Sequence, residues 1–213
     1  MTLDRAAWPF VAGIGAITIV LLGFAPRLAA AGAFLLVFTL NFFRDPERHA
    51  PEDKSALISP ADGKIVRADD ARVSIFMNVF DVHVCRSPVA GRVTSVAHES
   101  GRFLAAMRDD ASEHNERTAI VVQPDDGAPV RFVLVAGLVA RRIVCRVAAG
   151  TTLRLGERVG IIRFGSRVDL DLPAGAAPSV RVGDRVVAGE TVVARWAQGA
   201  AQSAPSISDI VPV

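Results

Sequence analysis

Gly165-Ser166 falls inside a strand-like run over residues 159–172, and its placement is one that could do chemistry. Ile162, Phe164, Val168, Leu170 and Leu172 share the parity of Ser166. Period-2 alternation therefore turns the serine hydroxyl towards an apolar face, and a buried hydroxyl needs a partner. The glycine before it has no Cβ, so its backbone can adopt conformations closed to other residues and its carbonyl is open to attack. A serine oxygen beside the preceding carbonyl is what a self-cleaving peptide bond requires. The same dipeptide alone is also an ordinary turn.

An attacking hydroxyl needs a base, and histidine is the side chain whose unperturbed pKa lies nearest neutrality. The chain has four: His49, His83, His98 and His114. His83 stands in a β-rich run over residues 79–84, where alternation puts Asp81, His83 and Cys85 on one face. Asp62 lies in Pro60-Ala-Asp-Gly63, a sequence that also suits a plain turn. Arg44, Arg48, Arg86 and Arg92 carry guanidinium groups that match phosphate geometry, and each could equally face solvent or a lipid headgroup. The two cysteines, Cys85 and Cys145, lie in apolar, β-branched runs and read as buried free thiols. There is no CxxC pair, so neither a metal site nor a redox motif is expected.

These residues need elements to hold them. Runs over residues 73–77, 79–84, 118–122, 130–135, 143–147, 159–164 and 168–172, bounded by Gly, Pro and Asp, predict a mainly β domain of sandwich or barrel type. One helix is expected over residues 103–108. Residues 180–194 read as two strands around glycine turns and resemble the hairpins of lipoyl and biotinyl carrier domains, which points to a barrel-sandwich architecture and not to a carrier function. A carrier needs a lysine at its hairpin tip, and the only lysines are Lys54 and Lys64. The same scarcity argues against a pyridoxal enzyme.

Ahead of this domain the chain is apolar. Residues 6–25 carry no charge, and a second apolar run covers 28–43, with Pro26 and Arg27 between them. The first is about the length that crosses a bilayer. Two runs joined by a proline turn fit a membrane hairpin better than a signal peptide. Arg5 precedes the hairpin and Arg44, Arg48 and Lys54 follow it, so the positive-inside rule puts both ends in the cytoplasm. The expected organisation is an anchor over residues 1–45 and a catalytic β domain over 46–213. With 24 basic and 22 acidic residues, charge is too balanced to suggest a nucleic-acid partner.

Four segments in order carry a resemblance: Phe42-Phe-Arg-Asp-Pro-Glu-Arg48, Ser59-Pro-Ala-Asp-Gly-Lys-Ile-Val66, Phe76-Met-Asn-Val-Phe-Asp-Val-His-Val-Cys-Arg-Ser-Pro88 and Arg163-Phe-Gly-Ser-Arg-Val-Asp169. Together they resemble the short form of the phosphatidylserine decarboxylase family over residues 42–196. The resemblance implies that Ser166 attacks the Gly165 carbonyl, that β-elimination frees Gly165 as a new C-terminus, and that the serine remnant becomes a covalent pyruvoyl cofactor. It implies a heterodimer of chains 1–165 and 166–213. It also implies decarboxylation of a membrane phospholipid, phosphatidylserine, to phosphatidylethanolamine through a Schiff base. His83 takes the place of a family histidine, and Asp62 that of an aspartate supporting it, with Asp81 as the other possibility. The long family form has a second histidine where this chain has Arg86, which leaves the base role to His83 or to a group elsewhere. Arg86 and Arg44 are the arginines expected at the substrate phosphate. The other readings are a membrane-tethered, non-enzymatic module of lipoyl-like fold, and a pyruvoyl decarboxylase of another amine.

Overall fold

The computed structural model describes residues 2–53, 55–101, 114–137, 142–163 and 166–196. The helix expected over 103–108 lies outside these residues, as does Gly165. Two helices come first, α1 (Trp8–Leu22) and α2 (Pro26–Phe42). Pro26 opens α2, where a missing N–H leaves no bond unmade and φ is already helical. The helices pack closely because Gly32 faces Thr18, so that a Cβ at Gly32 would overlap the threonine hydroxyl. Their outer surface is bare: Ile19, Val20, Leu22, Phe24, Phe34 and Val37 are each more than 60% exposed. The stretch Arg5–Leu22 is long and apolar enough to cross a membrane by length and composition.

The base of this hairpin is locked into the rest of the protein. Strands β1 (Thr2–Leu3) and β2 (Arg44–Asp45) pair across it. The Asp4 carboxylate accepts two hydrogen bonds from Arg146, at 2.6 and 2.7 Å. Ala7, Phe42 and Phe43 are fully buried against Val82, Val84 and Ile161.

The remainder is mainly β, as the alternating runs predict. Its largest sheet has eight strands in the order β11 (Thr152–Leu153), β7 (Gly91–Glu99), β8 (Arg117–Gln123), β9 (Val130–Ala136), β13 (Ser166–Asp171), β5 (Arg72–Met77), β4 (Gly63–Ala68) and β15 (Arg185–Val186). A three-stranded sheet runs β10 (Arg142–Cys145), β12 (Arg158–Arg163) and β6 (Val84–Arg86). Another runs β14 (Ala176–Pro178), β16 (Val192–Trp196) and β3 (Ala56–Ile58). Pairing is antiparallel throughout the described residues. One apolar core joins the sheets, with Ile75, Met77, Ile120, Phe132, Leu134, Ile162, Val168 and Leu170 at its centre.

Three sequence expectations change. The run over 159–172 is not one strand. β12 ends at Arg163 in the three-stranded sheet and β13 begins at Ser166 in the eight-stranded one, so the chain changes sheets between them. Residues 79–83 are not strand either. The Asp81 carboxylate accepts from the Asn78 backbone N–H at 2.8 Å, and this side-chain bond favours a turn over a ladder. Residues 180–194 do not form a hairpin with itself: β15 pairs with β4, and β16 lies between β14 and β3. The turn that separates them bends through Gly189 at φ +80°, a conformation that favours glycine.

Candidate active site

Ser166 opens β13 between two neighbours, opposite Met77 of β5 and Ala136 of β9. It is fully buried, and Val168 and Leu170 follow on the same core-facing side, which is the face that alternation predicted. Its hydroxyl donates to the Met77 thioether sulfur at 3.4 Å. A thioether is a weak acceptor, so among the described residues the hydroxyl has no strong bond to hold it back. The neighbouring outward positions of β13 are anchored by charge. Arg167 donates to Asp169 at 2.6 Å and to the Ser74 hydroxyl at 2.9 Å, all three being buried.

His83 is buried just ahead of β6, against β12, the strand that leads towards Ser166. Its carbonyl accepts from Ile162 N–H at 3.4 Å, four residues before the serine. The Phe42 ring, from the last residue of α2, lies against the imidazole with centroids 4.1 Å apart. His83 Nδ1 is 3.0 Å from the Asp81 carbonyl oxygen. A carbonyl only accepts, so Nδ1 carries the proton and Nε2 keeps its lone pair. That Nε2 is buried and has no hydrogen-bond partner among the described residues. Burial lowers the His83 pKa to about 4, with the Asp81 carbonyl and charge acting in the opposite direction. The ring is therefore neutral at pH 7 and stays available as a proton acceptor.

This depressed pKa has a measurable consequence. An unfolded histidine takes up its proton near pH 6.5, whereas the folded protein resists until about pH 4. Between those values the unfolded chain binds more protons, so the stability contributed by a neutral His83 is full above pH 6.5 and declines as pH falls towards 4. The melting temperature of the parent should fall more steeply over that window than the melting temperature of His83→Gln. Parallel curves would show that the imidazole is not held neutral by its surroundings.

Asp62 does not reach the imidazole through a hydrogen bond. Its carboxylate accepts from Arg48 at 2.9 and 3.2 Å and from Ala188 N–H at 2.7 Å. Burial raises its pKa, while Ala188 and Arg48 oppose the shift. The expected orienting contact to His83 is replaced by the Asp81 backbone. Asp81 itself turns its carboxylate to Asn78 and to Arg185, the latter at 3.0 Å. Arg86 is also committed elsewhere. It is buried and donates to Asp45, the Pro46 carbonyl and the Gly156 carbonyl at 2.9–3.1 Å. These bonds satisfy a buried guanidinium, which also lines a cleft shared with Arg48, Arg154 and Arg158. Arg44 donates to the carbonyls of Asn41 and Phe80, both at 2.7 Å. Arg92 is exposed on β7.

Two clefts of about 350 and 420 Å³ open elsewhere, one beside Trp196 and one among Arg48, Arg86, Arg154 and Arg158. Neither is lined by His83 or Ser166. What the sequence reading passed over is the surroundings of Arg163, three residues before the serine. Its guanidinium lies over the Phe10 ring of α1 at 5.6 Å. Only β pairing, invisible in the linear pattern, sets Arg142 directly across from it. Among the described residues no group of His, Cys, Asp and Glu could hold a metal.

A family model described as phosphatidylserine decarboxylase matches residues 35–194. A phosphatidylserine decarboxylase proenzyme from Desulfotalea psychrophila is 51% identical over 173 residues, covering 75% of this chain and 81% of the relative. One from Paraburkholderia phymatum is 46% identical over 204 residues, covering 90% and 96%. One from Erythrobacter litoralis is 49% identical over 186 residues, covering 76% and 75%.

Proposed function

The chain belongs to the phosphatidylserine decarboxylase family, and from that premise we propose that it cuts itself between Gly165 and Ser166 and then decarboxylates phosphatidylserine to phosphatidylethanolamine. The observation that carries this reading is Ser166, a buried hydroxyl whose one acceptor among the described residues is a thioether, placed where the chain leaves one sheet for another. The bond to be cut lies between the end of β12 at Arg163 and the start of β13 at Ser166, strands of different sheets, so breaking it need not divide either strand.

Maturation runs on the chain's own groups. His83 Nε2 takes the Ser166 proton, and the freed oxygen attacks the Gly165 carbonyl. The Gly165–Ser166 amide bond breaks as an ester bond to Oγ forms, and the proton returns to the departing amine. Loss of the Ser166 α-proton then expels the Gly165 carboxylate and leaves a dehydroalanine. Water converts this to a pyruvoyl group and ammonia. The pyruvoyl carbonyl supplies an electron sink for the charge left when carbon dioxide departs. Asp62 has a positioning role: through Arg48 and Ala188 N–H it ties the loop before β4 to the turn after β15.

The two chains should remain together. The small chain would contain β13, β15 and β16, and each of these pairs with a strand of the large one: β5 and β9, β4, and β3. Purified protein should therefore run under denaturing conditions as two pieces, 1–165 and 166–213, the smaller with a blocked N-terminus. A single intact chain that still turned over phosphatidylserine would overturn the reading.

The hairpin anchors the β domain to the cytoplasmic face of a membrane. Supporting this are the exposed apolar surface of α1 and α2 and the placement of Arg5, Arg44 and Arg48 at the hairpin base. The protein should pellet with membranes, and protease added outside intact spheroplasts should leave the β domain whole. Digestion from outside would reverse the orientation.

A further inference from the structure

Arg142 and Arg163 are directly opposed across the β10–β12 ladder. They share the parity of Val144 and Ile161, which pack into the cluster at the hairpin base, so both side chains lie on the face of the sheet turned towards α1. Two like charges at directly opposed positions repel, and here no acidic side chain relieves them: among the described residues neither arginine has an ion pair. Other arginines of the β domain are answered, Arg86 and Arg158 by Asp45, and Arg146 by Asp4. The Nε of Arg163 is buried and has no hydrogen-bond partner among the described residues. Burial and the nearby Arg142 charge both push the Arg163 pKa down, as expected where two cations share a site with no anion.

The position fits a lipid headgroup. Arg163 lies over Phe10 in the first turns of α1, beside Trp8, which is 60% exposed and of the residue type that settles at a membrane interface. Three residues of chain span at most about 10–11 Å, so position 166 lies within that reach of Arg163. In phosphatidylserine the amine is four bonds from phosphorus, so a phosphate held by these side chains would hang its serine moiety towards residue 166.

Building on the function proposed above, we propose that Arg142 and Arg163 are the substrate-binding pair that holds the phosphodiester of the phospholipid. Planar guanidinium groups bind phosphate oxygens in pairs, and the bound anion removes the repulsion between them.

The test uses the full-length, matured protein in detergent micelles with the mole fraction of phosphatidylserine varied. Arg142→Gln and Arg163→Gln should each raise KM at least about tenfold, the usual weight of a hydrogen bond to a charged group, with kcat within about threefold of the parent. Arg163→Lys should recover part of the loss as a point charge. Both Gln variants should still be cut into two chains. Because Arg142 is exposed and remote in sequence from the cleaved bond, its variant keeps the test independent of any folding or cleavage defect in Arg163→Gln. Failure of the parent to cut or to release carbon dioxide would count against the function itself, not against this pair. Unchanged KM in both variants would overturn the proposal. So would loss of binding to phosphatidylglycerol-containing vesicles with KM intact, the mark of a general anionic docking patch. Inorganic phosphate that inhibits the parent but not Arg163→Gln, with lipid KM unaltered, would reassign the pair to free phosphate and overturn it too.

Discussion

Ser166→Ala should purify as one uncut 213-residue chain and release no carbon dioxide from phosphatidylserine. The substitution removes the attacking oxygen and, with it, the source of the carbonyl that catalysis uses, so both losses should be complete and not merely large. Folding should survive. The hydroxyl's one hydrogen bond among the described residues goes to a thioether, and the Cβ remains to fill its place against Met77 and Ala136. Intact mass, circular dichroism and carbon dioxide release check the three statements. A folded Ser166→Ala protein that is cut, or that retains activity, would place the chemistry at another residue.

His83→Ala should slow cleavage by about 10²–10⁴-fold, the range for assistance by a positioned general base, so that precursor accumulates. The change also empties a space beside Phe42, and His83→Gln is the better-filled companion. Asp62→Asn should slow cleavage less, because its carboxylate acts on Arg48 and Ala188 and shares no hydrogen bond with the imidazole. The sequence resemblance implies an aspartate–histidine unit, whose losses would not add. The structure gives them separate hydrogen-bond partners, with the Asp81 and Arg44 charges acting on both, so their losses should overlap less than those of a hydrogen-bonded unit. Time courses of precursor decay for the two single variants and the double variant decide between them. If His83→Gln matures at the parental rate, the base lies elsewhere. His49, His98 and His114 should tolerate alanine.

Some of this was legible residue by residue. Alternation placed Ser166 on the core side with Val168 and Leu170, because a strand's two faces follow from period alone. The apolar runs announced α1 and α2, since about 20 uncharged apolar residues have few other uses. Strands β5, β8 and β9 lie within a residue or so of the expected runs. Where local side chains bond to their own backbone, the pattern misled: residues 79–83 of the strand expected over 79–84 are not strand, because Asp81 caps Asn78.

Family, mainly β class and apolar hairpin could be read from the chain alone, as could the serine and histidine to suspect. These depend on residue type and near-neighbour spacing, which a linear chain displays. Their surroundings come from the fold. It divides residues 159–172 between two sheets. It gives His83 Nδ1 to a backbone carbonyl and not to Asp62. It ties Arg86 to Asp45, 41 residues away, and sets Arg142 against Arg163. Each of these is a pairing between distant segments, and which buried polar group finds which partner depends on how strands are ordered in space. A one-dimensional pattern specifies a strand's faces but leaves its neighbours open.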